Sequence, residues 1–277
     1  MGNATIIHPS AVVEPGAQLG EGVSIGPFCH IGPEVVLGDG VSLASHVSVT
    51  GATTIGNNTM VLSFAALGGP PQDRRHKGGH STLRIGANCD IRESVTMHRG
   101  TDYARGETTV GDNGFFLAYS HVAHDCIVGN NVTLTHGATL GGHCEIGDNV
   151  TIGGLSAIHQ FVRIGHHAFI GGMSAVVGDV IPYAMAVGNR ARLRGFNVVG
   201  LKRSGMSRSE LSTLRAAYRM LFAPGRPVSE NVEEVRQAFS DAPAVLDILD
   251  FLTSRGKRHF AVPSLGDRGD AADDDPA

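Results

Sequence analysis

The chain has 277 residues, a formal net charge of −4, 38 glycines, no tryptophan and 42% hydrophobic residues. Glycine at about 14% is roughly twice its usual share, yet it does not recur every third residue, and Gly plus Pro stay below the level of low-complexity chains, which excludes collagen and general disorder. The mildly acidic balance gives no basis for nucleic-acid binding, and no run of about 18 apolar residues offers a membrane span.

The N-terminus, MGNATIIHPSAVV, lacks the basic start and apolar core of a signal peptide. A repeat begins within it. Every sixth residue from Ile7 through Val13, Leu19, Ile25, Ile31, Leu37, Leu43, Val49, Ile55 and Val61 to Leu67 is aliphatic. Ile85, Ile91 and Met97 keep that spacing, and a second run holds it from Val110 to Val176 with one aromatic, Phe116. Small or β-branched residues recur four positions after each aliphatic, as at Val23, Cys29, Val35 and Val41. Hexapeptide periodicity of this kind predicts a parallel β-helix, in which three hexamers make one coil and their three short strands build a triangular prism. The aliphatics point inward, and Gly or Asn fills corners that need unusual backbone angles. The cysteines, Cys29, Cys89, Cys126 and Cys144, form no CxxC pair and read as reduced, buried thiols.

Two segments interrupt the repeat, 68–84 (GGPPQDRRHKGGHSTLR) and 98–109 (HRGTDYARGETT). Both read as external loops, and the second shifts the phase by one residue. The pattern stops after Val176. Ser207 and Glu210 form a capping box ahead of the apolar-periodic Leu211, Leu214, Ala217, Tyr218 and Leu221, and Pro224-Gly225 closes that helix. A second helix is expected over 229–240, and a third starts near Pro243. The expected organisation is therefore an all-β prism over 1–190, a helical part over 191–262 and an acidic, disordered tail over 263–277.

Fourteen histidines are many for this length, and His121, His124, His136, His143, His159, His166 and His167 cluster. Residues three hexamers apart stack on one face, so His124, Gly142 beside His143, and Gln160 beside His159 form one column. His124 lies two residues after inward-facing Val122 and points outward. Three readings compete. The histidines are scattered surface groups, or a zinc site resembling that of γ-class carbonic anhydrases, or a general base with neighbours that bind an anionic substrate. The third is favoured because imidazole titrates near neutrality and suits proton abstraction from a hydroxyl. Asp125 would support His124 as in triad logic, which requires a bend because adjacent strand residues point opposite ways. Gly142 offers an unobstructed N–H to an oxyanion.

The segments His121-Val-Ala-His-Asp-Cys126, Leu140-Gly-Gly-His143, Ala157-Ile-His-Gln-Phe161, Pro71-Gln-Asp73, Ile91 to Gly100 and Gly195 to Arg203 are together similar to the UDP-N-acetylglucosamine O-acyltransferases, which open lipid A biosynthesis. The resemblance runs from about residue 5 to about residue 260. It implies a left-handed β-helix and a cytoplasmic homotrimer from a Gram-negative type of bacterium, with clefts between adjacent prisms. The implied reaction moves an (R)-3-hydroxyacyl group from acyl carrier protein to the glucosamine 3-hydroxyl of UDP-N-acetylglucosamine, with no metal and no bound cofactor.

By the same resemblance His124 is the general base, Asp125 its support, and the Gly142 N–H the oxyanion donor. Gln72 and Asp73 contact the acyl hydroxyl or the sugar. His121, His143, His159 and Gln160 line the sugar and phosphate region, Asn197 and Arg203 hold the nucleotide phosphates, and Gly172, Met173 and Arg190 border the acyl chain. The chain departs from the family pattern at Val199, where an acidic residue is expected, at Ser204, where a basic one is, and at Arg75, which replaces a lysine. Gly172 leaves room for a longer chain. Other readings are N-acylation of the later pathway intermediate, disfavoured because the repeat starts at Ile7, transfer from coenzyme A, acylation of a 3-amino sugar nucleotide, and an inert structural prism.

Overall fold

A computed structural model describes residues 4–254 and 256–264. Most of the acidic tail expected over 263–277 lies outside the described residues. The expected left-handed parallel β-helix is the architecture found. Among the described residues, short strands stack into three sheets of 11, 9 and 8 strands, parallel up to the last strand of the first sheet, and among the strands up to Ala175–Val176 each pairs with the third strand before and after it. The first face runs from Ile6–Ile7 to Ala184–Val187, the second from Val12–Val13 to Ala175–Val176, and the third from Gln18–Leu19 to Arg163–Ile164. Register is set by the three-hexamer coil, as in Ile25 beside Leu43 and Leu134 beside Ile152. From Ile25 to Val176 the sixth-position residues of the repeat are 4% exposed or less. The four cysteines take the small inward position, are all unpaired and buried, and their thiols are therefore packing groups.

The two interruptions are absorbed as whole additions to a coil. Leu37 pairs with Ile55 three hexamers on, whereas Ile55 pairs with Ile85 five hexamers on, so the first insert adds two hexamers and leaves the phase intact. Ile85 pairs with Val110, four hexamers and one further position on, so the second insert moves the phase by one. Both excursions are narrower than the sequence suggests. Thr82–Ile85 and Glu107–Val110 are strands of the third face, and Ala66–Gly69 and Thr96–His98 are strands of the second. The Thr-Leu-Arg-Ile and Glu-Thr-Thr-Val segments alternate inward and outward, and that alternation extends the sheet beyond the hexamer core.

Corners hold a left-handed residue. Between the third and first faces it is mainly Asn (Asn58, Asn88, Asn113, Asn131 and Asn149), as the pattern predicts. The residue before it accepts from a corner N–H one coil below, as Asp112 does from Ala87 and Asp148 from Asn130, which satisfies donors the strands leave free. Between the first and second faces the corner differs from expectation. Phe28, Phe64, Tyr119, Leu155 and Met173 sit there at φ between 56° and 67°, each more than 60% exposed. A side chain at this position points away from the prism, so it meets no core and its size is free to vary.

The prism does not end at Val176. Val180 bridges Ile164 and Ala186 pairs with Ile170, each two positions short of a full coil, and so this last coil escapes the period of the repeat. Arg192–Phe196 then folds back antiparallel onto Ala184–Val187. Among the described residues four helices follow: α1 (Val198–Arg203), α2 (Arg208–Leu221), α3 (Val228–Ala238) and α4 (Pro243–Thr253). The capping box of α2 forms in both directions, and Leu211, Leu214, Ala217 and Leu221 are buried. Helix α1 is not legible in Val-Val-Gly-Leu. It exists because Asn197 caps it and Leu201 is fully buried.

A buried ion pair in the prism also holds the segment that follows α4. The Arg163 Nε donates to Asp179 Oδ2 at 2.7 Å, and the Asp179 carboxylate is fully buried. Arg163 also donates to Ser254 Oγ and the Phe251 carbonyl and lies 4.5 Å over the Phe251 ring. Removing one partner of a buried pair leaves the other charge unmatched, which costs about 3–5 kcal/mol. Asp179→Ala is therefore expected to lower the unfolding free energy measured in urea by that order, and an unchanged midpoint would refute the role of the pair.

Candidate functional site

The seven clustered histidines separate onto three corners. His124 and His143 sit at the corner between the second and third faces, with His121 and His159 on or beside the second face. His136 lies between the first and second faces, 5.4 Å from the Tyr119 ring. His166 and His167 lie between the third and first faces with Tyr183, whose hydroxyl donates to Asp247 of α4.

The first of these groups is organised around Asp125. This residue is at φ 59°, the left-handed corner position, and that bend turns its carboxylate toward the neighbouring imidazole. His124 Nδ1 is 2.8 Å from Asp125 Oδ2, and both side chains are buried. A carboxylate only accepts, so Nδ1 carries the hydrogen and Nε2 keeps its lone pair. The backbone N–H and the hydroxyl of Thr101 donate to the same carboxylate at 3.0 and 2.8 Å. Burial opposes the charge on Asp125, but the hydrogen bonds from His124 and Thr101 outweigh it and hold the carboxyl below its ordinary range.

Gly142 stands one coil above His124. A Cβ there would lie 2.5 Å from His124 Cε1, so glycine is required for the ring to fit. The Gly142 N–H makes no hydrogen bond among the described residues, as an oxyanion donor requires. The His143 ring meets His124 edge-on at 5.0 Å and stacks on Phe161 at 4.4 Å. Its Nδ1 is 3.8 Å from Asp125, and its buried Nε2 has no hydrogen-bond partner among the described residues. His124, Asp125 and His143 present ligand atoms within 4.8 Å of one another, so this set could also hold a metal ion.

On the other side of His124, His121 Nδ1 lies 2.7 Å from Thr96 Oγ1, and the His98 ring meets His121 edge-on at 5.0 Å. Burial, with His98 and His124 adding repulsion, pushes His121 down to about 4. Burial also lowers His98 and His143. These three imidazoles are therefore neutral around His124 near pH 7.

The first loop brings Asp73 to within 4.0 Å of His124 Nε2. Arg75 donates to the Asp73 carboxylate at 2.7 Å and lies over the Tyr103 ring, and Tyr103 donates its hydroxyl to Asp73 at 2.5 Å. Hydrogen bonds from Arg75 and Tyr103 hold Asp73 well below the ordinary carboxylate range. Arg75 thus positions Asp73. Gln72 is exposed beside it. The second loop also ties to the first through Asp102, which accepts from the Lys77 and Gly79 N–H groups.

Not all expected site residues meet in one chain. His124, Asp125, Gly142, His143, His121, Asp73, His159 and Gln160 share one edge of the prism. Asn197 lies elsewhere, and its amide is taken at both ends, accepting from Gly200 N and donating to the His167 carbonyl. In this chain its side chain caps α1. Arg203 is exposed at the end of α1, where Ser204 is the C-cap. Gly172 and Met173 occupy the first-to-second corner, and Arg190 follows Asn189, which bridges Ala175 of the second face; all three lie away from His124. A Cβ at Gly172 would meet only the Gly154 backbone, at 3.4 Å or more, so space is present there. Thr101 and Tyr103, which donate to Asp125 and Asp73, are not legible as site residues, because they sit in an insert with no period.

A family model described as UDP N-acetylglucosamine O-acyltransferase, domain 2, matches residues 179–260, and a bacterial transferase hexapeptide model matches 1–33 and 16–51. An acyl-[acyl-carrier-protein]–UDP-N-acetylglucosamine O-acyltransferase of Mesorhizobium japonicum is 66% identical over 272 residues, 98% of each chain. Its Bartonella henselae counterpart is 54% identical over 96% of this chain and 97% of its own. Among solved structures, a UDP-N-acetylglucosamine acyltransferase superposes with a TM-score of 0.89 at 41% identity, over 93% of this chain and 99% of its own. The Francisella novicida enzyme gives 0.90 at 33% identity, over 94% and 95%. With a buried His–Asp pair at a β-helix corner and near full-length identity of this order, the chain belongs to the acyl-[acyl-carrier-protein]–UDP-N-acetylglucosamine O-acyltransferase family.

Proposed function

We propose that this chain transfers an (R)-3-hydroxyacyl group from acyl carrier protein to the 3-hydroxyl of UDP-N-acetylglucosamine, the first step of lipid A biosynthesis. The observation that carries the mechanism is the His124–Asp125 pair, with Nδ1 on the carboxylate and Nε2 free to accept a proton. Nε2 takes the hydrogen of the sugar hydroxyl as its oxygen attacks the thioester carbonyl. Negative charge passes to the carbonyl oxygen, where the Gly142 N–H donates. The intermediate collapses, the C–S bond breaks, and the carrier thiolate takes the proton from His124. Asp125 stabilises the imidazolium between these steps. His98, His121 and His143, kept neutral by burial, add no competing cation. No bound cofactor takes part, since the thioester is already activated.

A second reading rests on the ligand-capable geometry of His124, Asp125 and His143. In that case a zinc ion would draw His124 away from proton transfer, and activity would fall with a chelator.

The cleft is proposed to form between copies. The acyl-chain candidates Gly172, Met173 and Arg190 lie on a different corner from His124. The corner column Phe28, Phe64, Tyr119, Leu155 and Met173 exposes apolar surface that a monomer in water would leave unpaired. Packing that column beside the His124 edge of the next copy closes a ring of three. No helix among the described residues is long and apolar enough to cross a membrane, and the cytoplasm is the proposed location, where the carrier thioester is available.

Three outcomes are expected. In a mass-resolved assay of UDP-N-acetylglucosamine and its 3-amino analogue against a panel of acyl carrier protein thioesters, His124→Ala lowers transfer by about 10²–10⁴-fold, with folding intact by circular dichroism and with EDTA having no effect on wild type. Near-normal activity of the variant would sink the mechanism. Leu155→Asp combined with Met173→Asp shifts the mass in sedimentation from trimer toward monomer and loses activity, and an unchanged trimer would reject the corner as the contact.

The third concerns acid stability. His121 titrates at about 4 in the folded chain against about 6.5 when unfolded. Below the unfolded value the unfolded state binds the extra proton, so stability falls as pH drops from about 6.5 to about 4. His98 and His143 act in the same direction. Urea midpoints measured across that window should fall for wild type and fall less for His121→Gln, and parallel curves would contradict the neutral cluster.

A further inference from the structure

The segment after α4 carries two cations to the active edge. Gly256 passes directly over the buried Arg163–Asp179 pair, where a Cβ would lie 2.5 Å from Asp179 Oδ2 and 2.7 Å from Arg163 Nε. The Asp179 N–H donates to the His259 carbonyl, and the Ala261 N–H donates to the Asp179 carbonyl. The residues between these anchors are thereby fixed on the prism beside the Gln160 coil. Arg258 Nη2 is 2.7 Å from His159 Nδ1, and its Nε donates to the Gln160 carbonyl at 3.0 Å. Lys257 Nζ lies 4.3 Å over the Phe161 ring, the same ring that stacks on His143.

Two features make this more than a surface pair. Guanidinium only donates, so His159 Nδ1 accepts and Nε2 carries the hydrogen, which leaves His159 a fixed donor. No carboxylate among the described residues lies within salt-bridge distance of Lys257 or Arg258. In the same column the buried His143 Nε2 also lacks a partner. Donors and cations thus gather at one end of the column, and Asp179, beneath the neighbouring Gly256, is already paired with Arg163.

We propose that Lys257 and Arg258, with His159, form a phosphate-binding subsite at the C-terminal end of the acyl-transfer cleft. The proposal rests on the acyl-transfer reading for its two phosphate sources. One is the diphosphate of the sugar nucleotide, and the other is the phosphodiester that joins the pantetheine arm to the carrier protein. Lys257 supplies a mobile point charge, and Arg258 supplies charge together with the orientation of His159.

The test is binding, with turnover as a second readout. UDP-N-acetylglucosamine, phosphopantetheine and pantetheine are each titrated calorimetrically into wild type and into Lys257→Gln, Arg258→Gln and the double variant. One phosphorylated ligand should weaken by about tenfold per lost cation and roughly a hundredfold in the double variant, and which ligand responds identifies the source. Arg258→Lys should recover part of the loss, and the affinity should become less salt-dependent in the variants. In the assay, KM for the responding substrate should rise with kcat nearly constant. Unchanged affinity for both phosphorylated ligands, an equal change with pantetheine, or a fall confined to kcat would overturn the subsite. Wild type that binds these ligands but transfers no acyl group would defeat the acyl-transfer reading and leave the subsite standing.

Discussion

Everything in this molecule depends on stacking one aliphatic side chain per hexamer along the axis of a narrow prism. No second layer backs the sheets, so each inward residue contacts its counterparts in the coils above and below and the two other faces of its own coil. Hydrophobic burial therefore fixes the coil length. A residue added within a coil would turn its inward side chains to solvent unless the chain leaves the prism and returns in phase. The first insert returns after two whole hexamers, and the second after one hexamer and a single extra position, with the sheet restarted one position on. Both inserts end on strands of the third face, and both exit beside the His124 edge.

That rigidity serves the chemistry. The corner that places Asp125 in a left-handed conformation also places His143 and Phe161 in the same conformation one and two coils above. Side chains at these corners are held by the coil spacing, so the His124 and His143 rings meet at 5.0 Å without a dedicated scaffold. The loops add what the repeat cannot, namely Thr101 on the Asp125 carboxylate and Asp73 opposite His124 Nε2. The helical end adds a third contribution, because the buried Arg163–Asp179 pair carries the last described segment back to His159. An active edge built from a repeat, two inserts and a returning C-terminal segment can vary in its substrate contacts while the prism stays constant.

The charge pattern at that edge is uneven in a useful way. His98, His121 and His143 lose affinity for protons because burial strips their solvation. Asp125 and Asp73 remain ionised because hydrogen bonds replace the lost water. Neutral donors and fixed anions around a single carboxylate-bound imidazole suit a proton that is taken and returned within one turnover.

The amino-acid sequence alone determined the β-helix, its register, the stacking of His124 beneath Gly142 and Gln160, and the capping of α2, because each follows from a short period or a local motif. The resemblance carried by its motifs also indicated the reaction. Only the tertiary structure decided the rest. It split seven clustered histidines among three corners, since the hexamer of the coil in which a residue falls, and not proximity in sequence, selects the corner. It extended the prism past Val176 through a coil two positions short. It gave Asn197 to α1, Arg75 to Asp73, and Arg258 to His159. The last of these pairs joins opposite ends of the C-terminal half of the chain, and no local pattern encodes a contact made only when the chain returns across a finished core.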